Sequence, residues 1–283
     1  MSYWSDELND FQDFLEHHPG EDYRGWQPAK WQSLLTVRDR LLRECTGRSG
    51  GRLRTALELG CGSATLLLQL QAEGVGCVGV DRDPMALELA QHAAKSLGAA
   101  PPELLNGDFD DPHFVDGLEP ADLVLHVGVI EHFDPAGQRA FLELSAAKSN
   151  RWILVAVPNE HGPVFRSFLS TVSREERVYE DDHEDISIPG LAAELGLRVA
   201  AVDGAHLFFG RAKYYNPGDP QLDALYGELR GRLTALDPRY ADFPHRDFCA
   251  EDIDAMRAVE EQVDAETRAR CGFLTYYLLE KPA

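Results

Sequence analysis

The sequence LELGCGSAT at residues 57–65 contains the strongest structural signal in the chain. Its first three residues are typical of a strand end and include the acid Glu58. Two glycines then flank Cys61, and residues 64–71 have the apolar pattern of a helix. A strand–turn–helix unit brings backbone N–H groups and a helix N-terminus close to a ligand, and glycine permits close approach because it lacks a Cβ atom. The stretch therefore predicts a ligand-binding turn in an α/β protein.

Acidic residues follow two later predicted strands at positions that suit the same ligand. Residues 78–81 predict a strand that ends in Asp81, where a carboxylate can accept hydrogen bonds from the two hydroxyls of a ribose. Asp108 and Phe109 follow a short third strand near Leu104. Any doubly wound α/β protein needs a glycine turn of this kind, so the acids are what make the pattern specific.

Together these features resemble the class I S-adenosylmethionine-dependent methyltransferases, over residues 55–203. In that family the first motif reads acid-x-G-x-G, which residues 58–62 match, and the ribose-binding acid corresponds to Asp81. The resemblance implies that S-adenosylmethionine is the cofactor. It assigns cofactor-binding roles to Glu58, Gly60, Cys61, Gly62, Asp81, Arg82, Asp108 and Phe109.

Three further residues are candidates for contact with the cofactor. His126 ends the fourth predicted strand, which in the family lies under the methionine part, although a satisfied core histidine explains it equally well. Tyr23 and Arg24 lie in the loop that enters the second helix, and we assign them to the cofactor carboxylate.

A nicotinamide dinucleotide is the main alternative ligand for this fold. It calls for G-x-G-x-x-G, but the third glycine position holds Thr65. The carboxylate of Glu58 would repel a pyrophosphate, whereas it would attract the ammonium group of a methionine moiety. Both features favour the methyl donor.

The order of predicted elements indicates a Rossmann-like, doubly wound, seven-stranded sheet. Strands and helices alternate between residues 55 and 157, as in parallel sheets with right-handed crossovers. The last strand appears only at residues 273–279, and the resemblance implies that it runs antiparallel between the fifth and sixth strands. We expect an N-terminal helical cap at residues 1–46, a cofactor-binding core at 47–203, a helical insertion or lid at 204–271 and the final strand within 272–283.

Composition excludes several classes of function. The net charge is −21, with 48 acidic against 27 basic residues and no basic cluster, which disfavours nucleic acid as a partner. No run approaches the roughly 18 apolar residues of a membrane span, and the first residues do not resemble a signal peptide. Five cysteines without a C-x-x-C pair favour reduced thiols and a cytoplasmic protein. The histidines lack paired metal-ligand spacing. We expect a monomer or a homodimer.

The implied reaction is an in-line displacement at the methyl carbon of a sulfonium, for which the protein aligns the nucleophile and excludes water. A hydroxyl or ammonium nucleophile also needs a general base. His132 is the preferred candidate because imidazole titrates near neutral pH, with Glu131 to orient it or to bind substrate. A histidine that only hydrogen-bonds Glu131 or backbone explains the position equally well. His161 and His183 are further candidates, although residues 181–185 also read as a solvated acidic loop.

These features favour methyl transfer to a small molecule, such as a bacterial secondary metabolite, at oxygen, nitrogen or carbon. The alternatives are a methyltransferase acting on a protein, a peptide or RNA, and a module that binds the cofactor without catalysis. Residues 128–131 stand where enzymes that methylate nucleic-acid bases carry an Asp/Asn-Pro-Pro-aromatic tetrapeptide. As a set, the aromatic residues before and after the core favour an apolar pocket wall, although any one of them is better explained as part of an ordinary cap core. They are Tyr3, Trp4, Trp26, Trp31, Phe208, Phe209, Tyr214 and Tyr215.

Overall fold

The computed structural model describes residues 3–171, 186–208 and 215–282. A seven-stranded sheet in the order β3-β2-β1-β4-β5-β7-β6 forms its centre. Its strands are β1 Thr55–Leu59, β2 Gly76–Asp81, β3 Glu103–Asn106, β4 Ala121–Val127, β5 Ser149–Pro158, β6 Arg198–Ala205 and β7 Leu274–Glu280. Pairs among β1 to β5 are parallel, whereas β7 pairs antiparallel with both β5 and β6. The predicted Rossmann-like sheet with an antiparallel last strand is confirmed.

Helices flank the sheet, and further helices lie before β1 and between β6 and β7. They are α1 Tyr3–His17, α2 Tyr23–Trp26, α3 Pro28–Ser49, α4 Thr65–Ala72, α5 Pro84–Ser96, α6 Pro112–Asp116, α7 Pro135–Lys148, α8 Pro163–Thr171, α9 Ile188–Glu194, α10 Pro220–Leu236, α11 Ile253–Glu260 and α12 Ala265–Cys271. Several begin with an aspartate cap followed by proline. Asp83, Asp134 and Asp219 each accept a bond from a backbone N–H of the first turn of α5, α7 and α10.

The sheet is covered on both faces, as expected for parallel strands. On one face, Leu41 of α3 and Leu67 of α4 pack with Leu125 of β4. On the other face, Phe141 of α7 packs with Val124, the neighbour of Leu125 in the same strand. This alternation leaves ligand access to the carboxyl ends of the strands.

A buried cluster of charged side chains joins the helices between β6 and β7 to the rest of the molecule. Arg268 of α12 binds Asp203 of β6 through two bonds, of 2.7 Å and 2.6 Å. Gln32 of α3 donates to Glu260 of α11 at 2.9 Å, and Arg40 of α3 lies 4.0 Å from the same carboxyl group. Burial raises the pKa of Glu260 to about 7, although Arg40 opposes the shift. The cluster ties the late helices to both α3 and the sheet.

We expect Asp203→Ala to lower the free energy of unfolding by about 3–5 kcal/mol, because it leaves the Arg268 guanidinium buried without its carboxylate partner. Equilibrium denaturation in urea measures the loss. The matched control is Glu194→Ala, which removes the ion pair with Arg139 between side chains that are 45% and 60% exposed. That change should cost less than about 1 kcal/mol. Equal losses in the two variants would show that the buried cluster contributes no special stability.

Candidate functional site

The turn after β1 depends on glycine for its shape. Gly60 and Gly62 have φ angles of 75° and 50°, in the left-handed region that favours glycine. A Cβ atom added to Gly60 would lie 2.7 Å from Cγ2 of Val129, and one added to Gly62 would lie 2.5 Å from Cη2 of Trp4. The turn is therefore packed closely against a loop on one side and against α1 on the other.

The N–H groups of this turn bond within the protein and not toward a ligand. Gly60 and Cys61 both donate to the carbonyl oxygen of Val80, at 2.8 Å and 2.9 Å, and Gly62 donates to Asp81 at 2.9 Å. The sequence suggested that the turn offers backbone donors to a ligand. The structure instead uses these three donors to hold the turn against the end of β2, so that the turn contributes shape.

Asp81 lies at the end of β2 with both carboxylate oxygens engaged. Oδ2 accepts the bond from Gly62, and Oδ1 accepts a bond of 2.9 Å from the backbone N–H of Asp83. Burial raises the pKa of this carboxyl group, and the two backbone bonds oppose the rise. Each oxygen keeps lone-pair capacity for a hydroxyl donor. Asp81 can therefore fix the turn and still accept bonds from a ribose.

Glu58 provides a buried acceptor without a donor. It is 4% exposed at the end of β1, and its Oε2 atom has no hydrogen-bond partner. Burial raises the pKa of this carboxyl group well above its usual range; Lys30 opposes the shift and Asp81 adds to it. An unsatisfied buried acceptor is costly, and an ammonium group would satisfy it. The residues present thus fit the amino group of S-adenosylmethionine.

Three hydroxyl groups, of Tyr23, Ser63 and Thr65, form a cluster under the turn, and a lysine that the sequence did not predict bonds to it. Tyr23 donates to Ser63 at 2.9 Å, and its hydroxyl also bonds that of Thr65 at 2.9 Å. Lys30 of α3 donates to the same Ser63 oxygen at 3.2 Å and lines the adjoining cavity. Lys30 was not predicted, since nothing local in the sequence links it to a turn more than 30 residues later. Tyr23 is fully buried behind the turn.

A cavity of about 720 Å³ opens beside these groups. It brings together the predicted residues Glu58, Gly60, Cys61, Gly62, Asp81, Arg82, Asp108, Phe109 and His132. Tyr3 and Trp4, two of the aromatic residues expected in a pocket wall, line it as well. Its other lining residues are Lys30, Leu34, Ser63, Thr65, Leu66, Asp83, Asp110, Val127, Gly128, Val129 and Phe133. Arg24 lies apart from this lining and pairs with Asp22. His183, Phe209 and Tyr214 lie outside the described residues.

The candidate residues His132 and Glu131, in the loop after β4, differ in their exposure. His132 closes a short 3-10 turn, Ile130–His132, and is exposed at the cavity wall. Glu131 is 3% exposed, does not line the cavity and has an Oε2 atom without a hydrogen-bond partner. Burial raises its pKa to about 7, and Glu160 adds to the shift. A Cβ atom added to Gly128 would lie 3.5 Å from its Oε1 atom.

His126 is fully buried and lies away from the cavity lining. Its ring packs edge-to-face against Phe141 with the centroids 4.8 Å apart, and neither ring nitrogen has a hydrogen-bond partner. Burial lowers its pKa to about 3, so the imidazole is neutral at physiological pH. The structure thus places His126 under α7 and does not bring it to the other predicted cofactor residues.

Comparison with known proteins identifies the fold. Residues 56–147 match the model of a family described as a methyltransferase domain. No curated protein sequence matches significantly. The plantazolicin methyltransferase BpumL, in complex with a monoazolic desmethylPZN analog and SAH, is 12% identical over 99% of each chain, with a TM-score of 0.55. BamL, in complex with a triazolic analog and SAH, is 14% identical over 98% of this chain and 97% of that chain, with a TM-score of 0.51.

Two further features of the described residues concern membrane spans and metal sites. No helix among them has both the length and the apolar character that a bilayer span requires. Over the same residues, histidine, cysteine and acidic side chains form no group of three or more that suits a metal ion.

We expect Glu131→Gln to change how stability depends on pH. The folded-state pKa of about 7 lies above the ordinary value of 4.5, so the stability that the protonated group contributes is complete below pH 4.5 and is lost as pH rises through 7. Glutamine resembles the protonated form at every pH. The variant should match wild type near pH 4.5 and exceed it by about 3 kcal/mol at pH 8, as measured by urea denaturation.

The control for this measurement is Glu119→Gln, which changes an exposed loop carboxylate. It should leave the difference from wild type constant across the same pH range. A Glu131→Gln variant whose stability followed the wild-type pH curve would show that Glu131 ionises freely in the folded protein.

Proposed function

The chain carries a class I S-adenosylmethionine-dependent methyltransferase domain, and we propose that it methylates a small organic molecule at an oxygen, nitrogen or carbon atom. The observation that carries this proposal is a single cavity of about 720 Å³ that joins the glycine turn and Asp81 to the exposed His132. Its volume is in the range of small-molecule sites. A bacterial secondary metabolite is the acceptor class we propose, and the shared architecture with the plantazolicin methyltransferases supports it by analogy of fold.

In this proposal, residues at the donor end of the cavity bind the amino group, the carboxylate and the ribose hydroxyls of S-adenosylmethionine. The unpartnered Oε2 of Glu58 suits the amino group, and Asp81 suits the ribose hydroxyls. Lys30 suits the carboxylate, since it lines the same cavity as Glu58 and its ammonium group bonds to Ser63 beside the glycine turn. Asp108 and Phe109 line the cavity beyond Asp81, where the adenine would lie. When bound, the cofactor supplies a methyl group on a positively charged sulfur atom, a good leaving group for displacement.

The loop after β4 forms the acceptor end in this proposal. His132 is exposed to the cavity and takes the proton of a hydroxyl or ammonium acceptor, while Val129 and Phe133 provide apolar wall beside it. Glu131 lies behind this wall and acts as a positioning residue. A carbon nucleophile, such as an electron-rich aromatic ring, needs less help from a base, and cavity shape then determines the reaction.

The test of the proposal is transfer of isotope from methyl-labelled S-adenosylmethionine to compounds in a small-molecule extract of a bacterial culture. Calorimetry with S-adenosylmethionine, its demethylated product and a nicotinamide dinucleotide accompanies it. We expect micromolar or tighter binding of the first two and label in a small-molecule fraction. Label in protein or RNA would shift the assignment to a macromolecular acceptor. Binding without transfer to any fraction would indicate a module without catalytic activity.

We expect Asp81→Asn to weaken S-adenosylmethionine by about 10–100-fold in calorimetry, because the ribose loses a charged acceptor. Both carboxylate oxygens of Asp81 accept a backbone N–H, from Gly62 and from Asp83. Asparagine has only one acceptor oxygen, so its NH₂ group would face one of these two N–H donors. Asp116→Asn, at an exposed position away from the cavity lining, is the control and should bind normally. Unchanged affinity in Asp81→Asn would mean that Asp81 only shapes the turn.

We expect His132→Gln to lower kcat about 10²–10⁴-fold for an oxygen or nitrogen acceptor, because glutamine can hydrogen-bond but cannot take a proton. Donor affinity should stay nearly constant. His161→Gln is the matched control, since His161 is an exposed loop histidine after β5 that does not line the cavity. Near-normal kcat in His132→Gln would reduce His132 to a positioning role and favour carbon methylation.

A further inference from the structure

The first turn of α1 forms part of the wall of the donor cavity. Tyr3 and Trp4 both line it, and their rings meet edge-to-face with the centroids 5.0 Å apart. The indole of Trp4 lies directly on the glycine turn, since a Cβ atom added to Gly62 would be 2.5 Å from Cη2 and 2.7 Å from Cζ2 of that ring. Gly62 is thus the residue whose missing side chain leaves room for Trp4.

Packing further along α1 holds this indole in place. Leu8 and Phe11 are buried, and Phe11 contacts the ring of Tyr23 at 5.4 Å and that of Trp26 at 5.1 Å between centroids. Tyr23 is itself bonded to Ser63, the residue after Gly62. The helix that carries Trp4 is therefore anchored to the same turn that the indole covers.

The position of Trp4 relative to Asp81 determines which part of the donor it can contact. The N–H of Gly62 donates to Asp81 at 2.9 Å, and Asp81 is the residue proposed to bind the ribose. In S-adenosylmethionine the sulfonium sulfur is bonded to the 5′ carbon of that ribose. A positive charge is thus expected about one sugar width from Asp81, and the indole lines the same cavity and lies against Gly62, the residue that is bonded to Asp81.

We propose that the ring face of Trp4 contacts the sulfonium and makes the site prefer S-adenosylmethionine over its demethylated product, whose sulfur atom carries no charge. Indole is the aromatic side chain that attracts cations most strongly, and the attraction grows when the pair is shielded from water. Methyl transfer removes the charge, so this contact is lost when the product forms. The inference rests on the proposed donor binding at this cavity. The charged side chains that line the same cavity are Lys30, Glu58, Asp81, Arg82, Asp83, Asp108 and Asp110.

The experiment measures the dissociation constants of both ligands for wild type, Trp4→Leu and Trp4→Phe by calorimetry. Leucine keeps an apolar contact but has no π face. Trp4→Leu should weaken S-adenosylmethionine about 5–30-fold and the product less than about threefold, with Trp4→Phe between wild type and Trp4→Leu. Trp26→Leu is the matched control, because Trp26 packs on Phe11 and does not line the cavity. It should leave the ratio of the two constants unchanged.

Circular dichroism of each variant shows that the fold is retained, which is expected because Trp4 is only partly buried. Equal losses for the two ligands would make Trp4 a packing wall and overturn the inference. Tighter binding of both in Trp4→Leu would show that the indole occupies donor space, and would overturn it as well. If wild type bound neither ligand, the proposed function itself would fail, and the inference with it.

Discussion

The carboxylate of Asp81 is the interaction on which the candidate site depends. One of its oxygens holds the N–H of Gly62 and the other holds that of Asp83, so a single side chain joins the glycine turn to the end of β2. The turn then adopts left-handed angles that leave room for Val129 and Trp4. The shape of the turn, and the space that it leaves for Val129 and Trp4, is therefore linked to this one acid.

Three buried glutamates differ in their surroundings and therefore in the roles that we infer for them. Glu260, Glu131 and Glu58 all have a pKa raised by burial. Glu260 has Gln32 and Arg40 nearby and joins helices to the sheet. Glu58 stands at the cavity with one oxygen unbonded. Because native proteins satisfy most buried polar groups, an acceptor without a partner at a cavity points to a ligand. Glu260 also has one oxygen without a hydrogen-bond partner, but Gln32 and Arg40 hold its carboxyl group between helices, which is a role in the fold.

The sequence predicted the core well because its signals are local. Alternating strands and helices, proline after an aspartate cap and the spacing of Glu58, Gly60 and Gly62 all operate within a few residues. The short helices α2 and α6 carry no such signal, since four or five residues show too little periodicity. Lys30 was not placed, because its position depends on how α3 packs against distant parts of the chain. Trp4 was expected in an apolar pocket wall and lines the cavity, but its contact with Gly62 depends on how α1 packs. His126 was assigned to the cofactor, although neighbouring residues of a strand point to opposite faces, and its own face is covered by Phe141.

Local signals and long-range packing contribute to different parts of the proposed site. The donor end is shaped by the turn after β1 and by Asp81, which belong to the sheet that every residue of the core supports. In the proposed site the acceptor end comes from the loop after β4, whereas α1 and α3, which lie outside the sheet, add Trp4 and Lys30 to the donor end. Substitutions in the loop after β4 can change the cavity wall without removing the bonds between Asp81 and the turn. A common donor site with a variable acceptor site follows from that arrangement.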